Sequence, residues 1–150
     1  MLLRHVASGL IWHDASGALD NLKELSLFRN QIGDTSMISF ADALGKGALA
    51  ALETLELRIN AIGDAGMSAL AKAITPGPNG KGALPQLKEL NLYYNQIGDV
   101  GMQALAGAVS KGALAPGAEV FLGGNSVTET GKQAMHNAAE AQQRDLSVYF

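Results

Sequence analysis

The stretch Leu52-Glu-Thr-Leu55-Glu-Leu57-Arg-Ile-Asn60-Ala-Ile62-Gly-Asp64 recurs, with the same leucines, asparagine and Ile-Gly-Asp ending, from Leu22 to Asp34 and from Leu87 to Asp99. A worn fourth copy runs through Val120, Leu122 and Asn125. Aligned on Asn30, Asn60, Asn95 and Asn125, the copies lie 30, 35 and 30 residues apart. Self-similarity at such a period marks a solenoid, in which each unit buries its apolar face only by stacking on its neighbours. The longer middle spacing is accounted for by Thr75-Pro-Gly-Pro-Asn-Gly80, whose prolines and glycines cannot continue a helix. An insertion between a helix end and the next strand is predicted there.

Within each unit the hydrophobic period changes. Leu25 and Leu27, Leu55 and Leu57, Leu90 and Leu92, then Val120 and Leu122 alternate with polar or variable neighbours, the period of a short strand. Downstream, Met37, Phe40, Ala41 and Leu44 stand at i, i+3, i+4, i+7, and Met67, Leu70, Ala71, Ile74 and Met102, Leu105, Ala106, Val109 repeat the spacing. Those positions form one face of a helix. Asp34, Asp64 and Asp99 stand where the helices begin and are read as their N-terminal caps, a carboxylate accepting from free backbone N–H groups. Gly45-Lys46-Gly47, Lys81-Gly82 and Lys111-Gly112 are read as the left-handed turns that end them. The asparagine closing each strand is expected to bond unpaired backbone groups at the turn out of the sheet. Strands prefer a spacing of about 4.8 Å and packed helices need about 8–10 Å, so a stack of such units curves with its strands inside.

The phrase LxxLxLxxNxIGDxGMxxLAxA, shared by the second and third units, closely resembles the leucine-rich repeats of the ribonuclease-inhibitor-like class, and the resemblance runs from Leu22 to Ala139. It implies an α/β solenoid, a horseshoe segment with parallel strands on the concave face and helices on the convex face, whose members bind other proteins. Relatives include ribonuclease inhibitors, the sensing regions of NOD-like receptors, tropomodulin-like actin-end binders and Ran GTPase-activating proteins. The domain reading is a single repeat domain over 1–150: a cap or partial repeat at 1–21, repeats at 22–51, 52–86 and 87–116, and a degenerate capping repeat at 117–150. In that last unit the helix face becomes Lys132, Met135, His136 and Ala139, half polar, as a terminal repeat facing water should be. Leu146-Ser-Val148 is expected to add one last strand. The first residues carry no repeat phrase, only a helix expected through Leu2, Leu3, Val6 and Leu10; the chain begins mid-repeat, as a capped module or as the end of a longer array.

Composition excludes more than it selects. Nearly half of the 150 residues are apolar, enough for a sizeable core, and no cysteine is present to staple it or to act as a nucleophile. Net charge is −3 with the eleven Lys and Arg scattered, so neither nucleic acid nor a membrane is the expected partner. No apolar run approaches the roughly 20 residues that span a bilayer, and a soluble, cytoplasmic protein is expected. Gly77-Pro-Asn-Gly80-Lys81-Gly82 lacks the spacing and the hydroxyl of a phosphate-binding loop. His5, His13 and His136 form no ligand pairs at helical spacing, and no nucleophile elbow is present. No catalytic residue, metal ligand or cofactor is assigned.

Function is therefore expected on the sheet face. With the leucines inward, parity places Glu24, Ser26 and Phe28 outward on the first strand, then Thr54, Glu56 and Arg58, then Glu89, Asn91 and Tyr93, then Glu119, Phe121 and Gly123. One column, Glu24–Thr54–Glu89–Glu119, is acidic at three of four positions. Like charges on adjacent strands cost about 0.2–1 kcal/mol per pair, which a basic partner relieves. Another column, Phe28–Arg58–Tyr93 with Tyr94 beyond it, is read as an arginine between two rings. Such residues are typical interface anchors, although stacking alone stabilises a sheet by about 0.5–1 kcal/mol. Phe28, Arg58, Tyr93 and Tyr94 are thus the expected anchors, with Glu24, Glu56, Glu89, Asn91, Glu119 and Phe121 around them, in a non-enzymatic module for a basic protein partner. A Ran-type GTPase activator, with Asn91 and Arg58 positioning the partner's catalytic groups, and a structural fragment of a longer array are the alternatives.

Overall fold

The computed structural model describes residues 19–143 and 145–150. The helix expected within the first twelve residues, with His5 and His13, lies outside them. Strands β1 (Glu24–Ser26), β2 (Thr54–Glu56), β3 (Glu89–Asn91), β4 (Glu119–Phe121) and β5 (Ser147–Tyr149) alternate with helices α1 (Asp34–Gly45), α2 (Asp64–Ile74), α3 (Asp99–Ser110) and α4 (Glu129–Gln142). All neighbouring strands pair in parallel and in chain order, in one five-stranded sheet. The register is uniform: Glu24, Thr54, Glu89, Glu119 and Ser147 lie side by side. The final Leu146–Val148 alternation thus does add a fifth strand, carrying Tyr149 beside Phe121.

The core lies between sheet and helices. Leu55, Leu57, Leu90, Leu92, Val120 and Leu122 from the strands meet Met37, Met67, Leu70, Met102, Leu105 and Met135 from the helices, each 1% exposed or less. The predicted helix faces are buried as expected in α1, α2 and α3. In α4 only Gly131, Met135 and Ala138 are buried, and His136 faces outward, which suits a unit stacked on one side only.

The asparagines form a ladder between units. Asn60 accepts through Oδ1 from the N–H of Asn30 (3.0 Å) and of Ile32 (2.9 Å), and donates through Nδ2 to the carbonyls of Leu27 and Leu57. Asn95 and Asn125 repeat the pattern one and two units on. Each amide closes its own turn, as expected, and also bonds the end of the preceding strand, which the sequence did not indicate.

The aspartates do something different from the expected capping. The residues that begin the first three helices from outside are Gly33, Gly63 and Gly98, and none of these helices has a side-chain cap of its own. Asp34 instead reaches to the next unit, accepting from the N–H groups of Gly63 (2.7 Å) and Gly66 (2.8 Å). Asp64 does the same for Gly98 and Gly101. Asp99 accepts from the N–H (2.8 Å) and hydroxyl (2.5 Å) of Thr128. Each carboxylate therefore latches one helix to the start of the following one. Glycine at 66 and 101 leaves the room, since a Cβ there would lie 2.7–2.8 Å from the carboxylate oxygen.

The turn at Lys81-Gly82 also departs from expectation. Gly47 and Gly112 follow α1 and α3 with positive φ, as left-handed closures. Helix α2 ends at Thr75 in extended conformation, before the inserted loop, and Lys81-Gly82 is not its cap. Gly82 instead presses its backbone onto the carbonyl of Ile74, where a Cβ would collide. The loop thus folds back on the helix end.

Candidate functional site

The open face of the sheet carries the outward residues in the three predicted columns. Glu24 and Ser26 on β1 and Phe28 just beyond it are exposed, Leu25 between them is half-buried, and the inward leucines in and just after β2 and β3 are buried, as the parity predicts; the buried Asn91 is the exception. Arg58 does not lie between two rings. Its guanidinium carbon sits 4.6 Å from the centre of the Phe28 ring, and its Nε lies 3.5 Å from Glu56 Oε2. Tyr93 turns the other way, its ring centre 5.7 Å from that of Phe121 and 6.3 Å from that of Tyr94. Phe121 in turn stacks on Tyr149 at 4.8 Å and 11° between planes.

The result is a row of four rings, Tyr94, Tyr93, Phe121 and Tyr149, across β3, β4 and β5. Tyr94 is 64% exposed and Tyr149 41%. Two glycines make the row fit: a Cβ at Gly123 would come 2.5 Å from Tyr93 Cε1, and one at Gly124 would meet the Tyr94 ring. Tyr94 has a left-handed φ of 53° at the turn out of β3, which carries its ring clear of the core. Sequence parity found Tyr93, Tyr94 and Phe121 but missed Tyr149, because the last strand follows an irregular connection that the repeat phrase does not number.

The charged residues divide into engaged and free. Glu56 is engaged: it accepts from the Arg58 N–H (2.9 Å) and from Asn91 Nδ2 (3.2 Å), besides pairing with the guanidinium. Asn91 is only 8% exposed, and its Oδ1 accepts from the Tyr93 N–H. It holds Glu56 and the strand end, and burial removes it from the partner-contacting set. Glu119 accepts from the Tyr149 hydroxyl (3.1 Å). Glu89, beside it in register, and Glu24 pair with no cation among the described residues.

At the rim where the strands begin, Lys23 and Lys88 clasp Glu53 from both sides, at 3.0 and 2.7 Å. The two ammonium groups, Lys88 foremost and then Lys23, hold its carboxyl below the usual range. These residues occupy one position of three successive repeats, so reading that column down the units would have found them. The clasp is exposed and contributes little stability.

A family model described as Leucine Rich repeat matches residues 19–41, 50–71 and 84–106. No curated protein matches the chain. Among solved structures, Leiomodin-1 Actin-Binding Site 2 is similar with a TM-score of 0.62 and 17% identity, over 99% of this chain and 77% of that one. At that identity the likeness is one of fold. Among the described residues, no helix is long and apolar enough to cross a membrane.

Proposed function

We propose, on the premise that this chain is built of leucine-rich repeats, that it works as a non-enzymatic interaction module whose sheet face binds a basic protein partner. Repeats of this kind serve in general as protein-interaction scaffolds, and the solved structure of similar fold, Leiomodin-1 Actin-Binding Site 2, is by its name an actin-binding site. The observation that carries the reading is the continuous row Tyr94–Tyr93–Phe121–Tyr149 on the open face, exposed at both of its ends. Aromatic rings in rigid, glycine-floored positions lose little entropy on contact and are typical anchors. Glu24, Glu89 and Glu119 around them favour positive charge. In this reading Phe28 and Arg58 form a self-contained pair at the edge of the site, and Asn91 supports it from beneath.

The reading keeps one domain, with repeats at 22–51, 52–86 and 87–116 and a closing unit from 117. It assigns the chain to the ribonuclease-inhibitor-like type, because every complete unit returns through a full α-helix. Arg58 and Asn91 are both committed within the sheet, which argues against their positioning groups on a GTPase. An ordinary footprint of about 800 Å² per partner would occupy most of a face this size.

The test compares wild type with a Tyr93→Ala/Tyr94→Ala/Tyr149→Ala variant as baits in lysate, each shown by thermal melting to be folded. A protein held by the wild type and released by the variant is the expected outcome. Identical or empty captures would remove the sheet face as the site.

A further inference from the structure

We propose that the β3–β5 half of the sheet face takes an arginine side chain from the partner; this rests on the protein-binding reading above. The β1–β2 half already contains the arrangement in completed form. There Arg58 lays the flat of its guanidinium over the Phe28 ring while its edge faces Glu56. Ring, carboxylate and guanidinium come from two adjacent strands, so that corner of the face is closed to a further cation.

The other half repeats two of the three components. Phe121 and Tyr149 stack next to Tyr93, and Glu89 and Glu119 lie side by side in register one pleat away. Among the described residues no lysine or arginine pairs with either carboxylate or lies over any of these three rings. Adjacent carboxylates on parallel strands repel, and the exposed Tyr149 ring, at the end of the stack, carries negative potential on its face, so both features favour the same missing charge. The Tyr149 hydroxyl, bonded to Glu119, steadies that carboxylate beside the ring.

Arginine fits better than lysine. A guanidinium is planar and weakly hydrated, and stacks on a ring with its face while its edge donates to carboxylates; an ammonium must choose between the two. The occupant is therefore an arginine on an exposed segment of the partner protein.

The test uses a short extended peptide carrying arginine at alternate positions, with lysine and citrulline versions, titrated by fluorescence anisotropy against the whole chain. Glu89→Gln/Glu119→Gln keeps shape and removes charge, and its melting temperature controls for folding. The expected result is that the arginine peptide binds, the lysine peptide binds about tenfold more weakly, and the citrulline peptide does not bind. The double glutamine variant should lose the arginine peptide. Equal binding of arginine and citrulline peptides, equal binding to both proteins, or no binding of the arginine peptide would overturn the assignment. The same glutamine variant, used as bait beside the triple-alanine one, separates the two readings. A protein kept by the glutamine variant but lost by the alanine variant refutes the arginine assignment and leaves the interaction face standing; one kept by both refutes the face itself.

Discussion

Asn95 shows how one side chain carries both local closure and repeat-to-repeat order. It is 7% exposed and bonds Ile62 N–H and the carbonyls of Leu57 and Leu92, so removing its amide strands the Ile62 N–H in a dry turn and takes one of two amide donors from each carbonyl. Asn95→Ala should cost about 1–3 kcal/mol in urea unfolding. Asn30 has no unit described before it, and among the described residues its side chain donates only to Phe28 O, so Asn30→Ala should cost under about 1 kcal/mol. Equal losses would show that the ladder is not what the amides contribute. Ile59 is the opposite case, a β-branched residue held at φ 53° and 42% exposed. The left-handed conformation costs roughly 1–2 kcal/mol for such a residue. Ile59→Asn, which accepts that conformation, should raise stability by about 0.5–1 kcal/mol; a fall in melting temperature would mean that Ile59 packs more than its exposure implies.

The elements are joined by aspartates that serve their neighbours. If Asp64 latches α3, Asp64→Ala should cost about 1–2 kcal/mol and speed hydrogen exchange at the amides of Gly98 and Gly101. Were it a cap of its own helix, the first turn of α2 would exchange faster instead. The last latch is also a pH-sensitive one. The Thr128 hydroxyl first, and then its backbone N–H, stabilise the charged form of Asp99 and lower its pKa. A depressed folded pKa means that the contribution is full above the usual aspartate range and is lost as pH falls through the folded value. The α3–α4 junction should therefore loosen in acid below the ordinary aspartate range, seen as faster exchange at Thr128, and Asp99→Asn should remove that dependence. An unchanged acid profile in the variant would rule the latch out as its source.

The whole molecule is a stack in which helix packs on adjacent helix and strand on adjacent strand, so stability is a sum of neighbour terms. Met135 is fully buried in α4, the last helix; Met135→Ala should cost about 2–4 kcal/mol and expose α4 amides while those of α1 stay protected. Uniform loss of protection would show a single cooperative unit instead. At this scale the sequence by itself determined the strand–helix alternation, the inward leucines and the asparagine closing each turn, because each follows from a local period or from a side chain bonding its own turn; the bonds that make those asparagines a ladder cross to the preceding unit and come from stacking. Tertiary structure alone decided the rest. The carboxylates of Asp34, Asp64 and Asp99 were legible as helix-start residues, but their partners lie one unit away, where only stacking brings them within reach. Arg58 lies over Phe28 and not against Tyr93, with its Nε beside Glu56 on its own strand. Tyr93 was free to join Phe121 because Gly123 leaves space beneath it, and Tyr149 entered the row only through the pairing of β5 with β4. Parity names which residues face outward; which of them touch depends on rotamers and on the small residues beneath them, and those are settled by packing across strands far apart in the chain.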